Sequence, residues 1–590
     1  MRSYPSPGLS SSEPPKRKQP LLNRFFGAIH TLSASDGFLM RLALVVCGVF
    51  LLAFLIQASM HYTVTIATGG GTFSEGIVGV PRFVNPVLAV TRADKDLSAL
   101  IYDGLLRLGA NGTLENNIAD SITVSDDGLT YNVILKTGVT FHDGHPLTAR
   151  DVAFTLEHIQ DPTLSSPLRG NFDGVKVEVV GEYELNFIVP EAYSLFTENL
   201  TFGILPEHIW KDAGSEEFPF SPYNNEPIGS GPYKIQKIER SVSGIPEVYI
   251  LKSHEGYLWG APKIETFEIY FFATEPGLVD AFKKGVIKSV VGVTPETIQS
   301  LGLNQETHHL ERIPLPRTFA VFLNPNKAAA LRDPAAREAL SAAIDRAQLI
   351  ESVLGGYGNP LSGPVPPGFG VTISMPTTTI PNEEDVRAIL RNGGWKLNEE
   401  SGVWEKEIDG VDTPLAFTIA TANQSGFAAT AEFLKAAWEH IGASVQIDQF
   451  EQADLTQGVI RPRDYEALLF GTHLGRSLDY YSFWHSSQRN DPGLNVALFA
   501  NITTDSILAE MRRSTDPAER AARIERFAAE LNEENPAIFL YAPELLYVFP
   551  NDVHGASFGG VSDPQERFAR VDEWFIETES VWPFFTDENN

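Results

Sequence analysis

Alternating strand-like and helix-like segments over most of a 590-residue chain predict an α/β protein, and one long apolar run near the start predicts a membrane tether ahead of it. Hairpin signals between residues 114 and 135 add a third expectation, an antiparallel region within the first half. The length exceeds what one core serves and suggests about three or four compact units. The composition, 43% hydrophobic and 20% charged, is that of a globular chain.

The tether is FLMRLALVVCGVFLLAFLIQ, Phe38 to Gln57, apolar without interruption from Leu42 to Ile56. That approaches the ~20 residues needed to span a bilayer core. Residues 1–37 are rich in Pro, Ser and basic side chains and are expected to be a disordered cytoplasmic leader. Up to Gln57 the chain has six basic and two acidic residues, a net +4, so the remainder carries −34 of the total −30. The positive-inside rule then places a single-pass anchor with the body on the extracytoplasmic side, periplasmic or extracellular. A cleaved signal peptide, cut after Ala58, is the alternative reading of the same run. Cys47, the sole cysteine, lies inside the run with apolar residues after it, which suits helix packing and not lipid attachment. The body therefore lacks disulfides, and its acidity makes nucleic acid a poor partner.

Within the body, Gly69–Gly71 have no Gly-Lys-Ser/Thr after them, so they read as a link or turn and not a phosphate loop. SITVSDDGLTYNVIL carries Asp127-Gly128 between two β-rich runs, a strong hairpin signal. IGSGPYKIQKIE, PEVYILKS and TFEIYFF read as successive strands before the helix EPGLVDAFKKG. Asp333-Pro334 marks a helix start, and the apolar pattern predicts one helix continuing to Gly355. LAFTIAT, a helix from about Phe427 to Ile441, and SVQIDQF form a β-α-β unit with parallel strands. A strand from Asp464, a helix opened by Asp516-Pro517 and the strand-like AIFLYAPELLYVF complete the pattern.

The stretch YNVILKTGVTFHDGHPLTARDVAFTLEHI, residues 131–159, places His142, Asp143 and His145 within four positions. A zinc site needs three or four convergent ligands, and neither HExxH nor a downstream pair at ligand spacing is present. Gly138 and Asp143-Gly144 read as turns, and Thr148 with Asp151 as a capping box opening a helix. A structural turn is the favoured reading and a metal or acid/base site the lesser one. No cofactor, metal or catalytic residue is expected.

The same stretch, with DDGLTYNVILKTGV before it, resembles the signature region of the family 5 extracellular solute-binding proteins, the peptide-binding components of ABC importers. NPVLAVTRADKDLSALIYDGLL, LPEHIW, PIGSGPYKI and the block from Phe322 to Pro367 extend the resemblance from about Gly76 to Val548. It implies a two-lobed, periplasmic-binding-protein-like α/β fold of the class II type with an extra subdomain inserted in the first lobe. The expected boundaries are lobe I in 58–105, 225–325 and 540–590, the inserted subdomain in 106–224, and lobe II in 326–539. It also implies a monomer that binds a peptide-like ligand, hands it to an ABC permease and does no chemistry.

Ligands of open α/β sheets bind beyond the carboxyl ends of strands, and LLFGTHLGRSLDYYSFWHSSQRN follows such an end. Gly471 and Thr472 are candidates for backbone pairing with a peptide, and Tyr480, Tyr481, Phe483 and Trp484 for apolar walls, with core packing as their alternative role. The family commonly places an aspartate in this loop to pair with the ligand's amino terminus. Here the matching place is near Arg476, with Asp479 the nearest carboxylate. Arg476 either favours an anionic ligand group or points outward as a solvated side chain. From the first lobe the resemblance brings Thr91, Arg92, Phe272 and Glu275 toward the ligand. Other cargo, such as a nickel complex or oligosaccharide, an anchored sensor, and least of all an exported hydrolase lacking any GxSxG elbow, are the competing functions.

Overall fold

The computed structural model describes residues 33–62, 64–369, 371 and 382–581. Most of the expected leader, residues 1–32, lies outside these. The chain divides into two compact units, Met1–Ala67 with Thr578–Asn590, and Thr68–Glu577.

The first unit holds the apolar helix, Ala34–Tyr62, and a strand pair, Val64–Ala67 antiparallel to Thr578–Val581. The helix is longer at both ends than the expected 38–57, and at its start Ser33 and Asp36 bond to one another and open it inside what reads as leader. It is apolar on every side, and Phe38 and Phe50 are 67% and 72% exposed. A helix with no polar face is one that a membrane or a protein interior must cover. Its apolar stretch Ser35–Gln57 is long enough to cross a bilayer.

In the second unit one large sheet runs in the order Ser444–Phe450, Ala416–Ala422, Ala467–His473, Arg317–Leu323, Ala537–Pro550, Ser289–Val291, Thr72–Val78, Thr266–Phe272, Pro246–Ser253 and Tyr233–Arg240. Ala416–Ala422 and Ser444–Phe450 are parallel, joined by the helix Ser425–Ile441, as the β-α-β pattern predicts. The hairpin forms in register, Val124 opposite Tyr131, with Gly128 at φ +70° supplying the turn that a β-carbon would strain. Its strands join Glu184–Ile188 and Lys176–Gly181 in a separate four-stranded antiparallel sheet. Gly229 and Gly231 of the IGSGP motif run against the Ile101 backbone, where a β-carbon on Gly229 would stand 2.0 Å from the Ile101 carbonyl oxygen. The motif is a close crossing of two main chains.

The one helix expected from Pro334 to Gly355 is two, Pro334–Ala342 and Arg346–Leu354. Asp345 breaks it by capping the second: its carboxylate accepts the Gln348 amide at 2.9 Å. An aspartate inside an apolar helical pattern competes for backbone donors in this way, and periodicity alone does not register it.

Core membership divides the unit. One cluster, centred on Phe73, Phe267, Phe549 and Trp574, continues through Tyr131, Phe187 and Phe196 into the four-stranded sheet. Two others lie under the Ala416–Ala422 and Ala467–His473 strands and the helices around them. The chain passes from the first cluster to the others between Leu315 and Ala320, and back between Ala542 and Leu545. Prolines 314, 316 and 543 stand at these passages, where a residue without an N–H leaves no ladder donor unpaired.

The first cluster encloses an ionic set in which Arg567, Glu75 and Asp96 are fully buried and Arg92 stands at the edge. Arg567 reaches Asp96 through two nitrogens at 2.7 and 2.8 Å and also bonds Glu75. The Tyr547 hydroxyl donates to Glu75 at 2.7 Å, and Arg92 lies 3.5 Å from Asp96. Burial by itself would lower the Arg567 pKa, but the Asp96 and Glu75 carboxylates outweigh it and raise the value. Two cations and two carboxylates make the set neutral, which is the condition for keeping charge in a low-dielectric interior. Arg567→Met strands both carboxylates and is expected to cost about 3–5 kcal/mol in urea unfolding of the detergent-solubilised protein. Adding Glu75→Gln and Asp96→Asn to that variant recovers part of the loss.

Candidate functional site

A cavity of about 520 Å³ opens beside the loop that follows Ala467–His473. One wall comes from Asn111–Leu114, Ser194–Glu198 and Gly560; the other from Phe369, Arg476–Leu478, Arg520 and Ile524. The two walls belong to different clusters of the core: Leu195's neighbour Phe196 packs in the first, Leu478 and Ile524 in another. The loop's tight path is set by Leu478, 1% exposed, in the left-handed region at φ +54°. A buried leucine in that conformation is strained by roughly 1–3 kcal/mol, and such strain concentrates where structure serves a site.

Direct bonds tie one wall to the other. Ser194 donates both its amide and its hydroxyl to the Arg512 carbonyl at 2.9 Å. The Tyr193 hydroxyl donates to Asp479 at 3.3 Å, and Arg512 grips the same carboxylate at 2.7 and 3.1 Å while stacking on the Tyr481 ring at 4.1 Å. The Ser477 amide donates to Glu198 at 3.3 Å. Burial pushes the Glu198 carboxyl up to about 7, with Arg476 acting in the opposite direction. Arg520 is spent on backbone, donating to Met511 and Ser477 carbonyls at 2.9 and 2.7 Å.

Of the expected contacts, Arg476 lines this cavity, yet neither of its two expected roles holds. It is neither solvated nor free for an anion: it donates to the Gly560 carbonyl, to Ser562 and to Glu566 at 2.7 Å. Asp479 is neutralised by Arg512 as described. Tyr480 and Trp484, 0% and 2% exposed, are core residues and not walls, while Tyr481 and Phe483 are half-buried against the same core. Gly471 and Thr472 face Phe319 and Thr318 in the ladder, where a β-carbon on Gly471 would meet the Phe319 ring at 3.0 Å, and the two threonine hydroxyls bond at 2.6 Å. Thr91 caps the helix Arg92–Ile101. Phe272 ends its strand against the Leu278 cluster, and Glu275 accepts from Thr294 at 3.0 Å. Arg92 lines a second cavity, about 390 Å³, beside Arg317, Glu544 and Leu545 where the chain crosses between cores.

Sequence reasoning missed Tyr193, Ser194, Glu198, Arg512 and Arg520. All stand far in sequence from the loop they meet, and no motif marks them. Glu198 yields a pH signature. Its carboxyl has an ordinary value of 4.5 and a folded value of about 7, so the native state holds this proton more tightly. Its contribution to stability is full below pH 4.5 and declines as pH rises to about 7. The stability of the wild type relative to Glu198→Gln is expected to fall across that window in thermal unfolding, and a flat difference refutes the assignment.

Residues 113–493 match the bacterial extracellular solute-binding proteins, family 5 middle region. The oligopeptide-binding protein AppA of Bacillus subtilis is 25% identical over 520 residues, 86% of this chain and 92% of that one. Its crystal structure in complex with a nonapeptide superposes with a TM-score of 0.66 at 24% identity, covering 87% of this chain and all of that one. The substrate-binding protein CtaP of Listeria monocytogenes gives 0.70 at 24% identity over 86% and 100%. NikZ of Campylobacter jejuni, in complex with Ni(L-His), gives 0.64 at 23% identity over 85% and 99%. The blocks from Asp127 to Ile159 and the α/β architecture thus have one explanation: the chain belongs to the family 5 bacterial extracellular solute-binding proteins.

Proposed function

We propose that the chain is a membrane-anchored receptor that captures a peptide-like ligand between two lobes and delivers it to an ABC import permease. The observation that carries this reading is the cavity whose walls come from separate cores connected through two proline-marked crossings. A volume of about 520 Å³ falls within the range of small-ligand sites, and walls that pack in separate cores suit capture by closure. A ligand drives closure only when it is bound better in the closed state, so both walls must touch it. The lobes follow core membership, lobe I with the inserted subdomain around the Phe73 cluster and lobe II around Leu478 and Trp438. The crossings then lie at 315–320 and 542–545, in place of 325/326 and 539/540. The apolar helix serves as the anchor, and the similarity to the oligopeptide-binding protein AppA supports a peptide as cargo.

The site chemistry narrows the ligand. With Asp479 held by Arg512 and Tyr193, no loop carboxylate is free to receive a peptide ammonium group. Recognition is expected to rest on backbone and apolar contacts with Phe369, Leu478 and Ile524. Thermal stabilisation of the detergent-solubilised protein against a peptide library tests the receptor reading, a ligand at 100 times its Kd contributing about 2.7 kcal/mol. Failure of every peptide to stabilise it, or turnover of any, sinks the reading. For a peptide that binds, acetylating the amino terminus is expected to alter Kd by less than about threefold; a tenfold loss, about 1.4 kcal/mol, means that a carboxylate, Glu198 in the cavity wall or Asp479 released from Arg512, receives the ammonium group.

A further inference from the structure

The turn at residues 142–145 acquires a third donor that its sequence does not contain. His208, in the short helix Glu207–Trp210, places Nε2 2.8 Å from the Asp143 carboxylate. His145 brings Nδ1 to 3.4 Å from the other oxygen of that group, and the two imidazoles stack with centroids 3.9 Å apart. One ligand atom from each residue lies within 4.8 Å of the others, the sole such group of three among the described residues. We propose that Asp143, His145 and His208 form a binding site for a borderline divalent transition-metal ion, zinc being the reference ion, on the outer surface of the protein.

Geometry and chemistry support this independently of the cavity and of any peptide reading. Two imidazoles and a carboxylate are the donor set that such ions select, leaving a fourth position for water. Zinc bonds of ~2.0 Å set tetrahedral ligands roughly 3.3 Å apart, and His145, whose side chain is 59% exposed, is free to turn its ring out of the stack so that the donors, now within 4.8 Å of one another, converge. The remaining parts are held in place. The Phe141 amide bonds the His145 carbonyl at 2.8 Å and the His145 amide bonds Asp143 at 3.1 Å, fixing the turn. Asp151, the capping-box partner of Thr148 in the helix Ala149–Gln160, also accepts the Glu207 amide at 2.9 Å, so the cap that ends the turn positions His208 as well. His142 takes no part. The Gly229 amide donates to its Nδ1 and its Nε2 bonds the Gly231 carbonyl, and burial pushes its pKa down to about 3. Other histidines among the described residues that face carboxylates, His309 with Glu311, His440 with Glu383, His473 with Asp563 and His485 with Asp505, do so in pairs and lack the third donor.

Calorimetric titration of EDTA-stripped, detergent-solubilised full-length protein with Zn²⁺ tests the site. One equivalent is expected to bind, with Kd at least tenfold weaker in His145→Ala and in His208→Ala. Replacing zinc by Co²⁺ in the wild type is expected to give visible d–d absorption that both variants lose. Removing His208 also removes a tie between helix and turn, so if that variant unfolds, His145→Ala decides, since its exposed ring can be truncated without leaving a buried gap. Equal affinity and stoichiometry in wild type and His145→Ala, or no binding by the wild type, overturns the proposal.

Discussion

The fourteen-residue strand Ala537–Pro550 is the constraint on which the rest of the second unit depends. Its first residues pair with Arg317–Leu323 and feed a core on each face; its last pair with His308–Pro314 and Ser289–Val291 and feed two more. A single strand shared by these cores cannot shift register in one without reversing the faces presented to the others. The neighbouring passage through Leu315 and Pro316 runs alongside it. Proline in both passages removes main-chain donors where the ladder changes partner, from Gly358–Pro360 to His308–Pro314.

The interior manages charge by pairing it locally. Despite a net charge of −30, the deepest carboxylates, Glu75 and Asp96, are matched by Arg567 and Arg92, and Asp572 faces Arg107 at 3.4 Å. The loop beside the cavity repeats the rule with Asp479 and Arg512, and with Arg476 and Glu566. Such satisfaction is what a low-dielectric interior demands, since an unpaired ion there would change protonation or exclude the fold. At the cavity it neutralises Arg476, so ligand selection falls to shape, backbone groups, the Glu198 carboxyl and the Arg520 guanidinium, which bonds carbonyls.

Much of the architecture was legible. Asp127-Gly128 sets its hairpin, Thr148 its helix start and Gly442 its helix end at φ +99°, because each acts through bonds within a few residues of itself. The β-α-β pairing followed from hydrophobic pattern and element length. Less was legible at the site. Aromatic residues 480–484 read equally as walls or core, since burial is a property of what packs against them, and Phe527 and Phe539 arrive from elsewhere to cover Tyr480 and Trp484. Arg476 could be given a charge but not a partner, and its partners stand more than eighty residues away.

Sequence alone determined the order of strands and helices, the apolar span and the turn at Asp143, all governed by short-range backbone preference and by periodicity, while its motif blocks carried the resemblance to the family. Only the tertiary structure decided which charges are neutralised, where the chain crosses between cores, and that His208, 65 residues from Asp143, completes a cluster of three donors. The physical reason is common to these cases. Convergence of side chains is fixed by packing between elements distant in the chain, and neither spacing nor propensity encodes that distance.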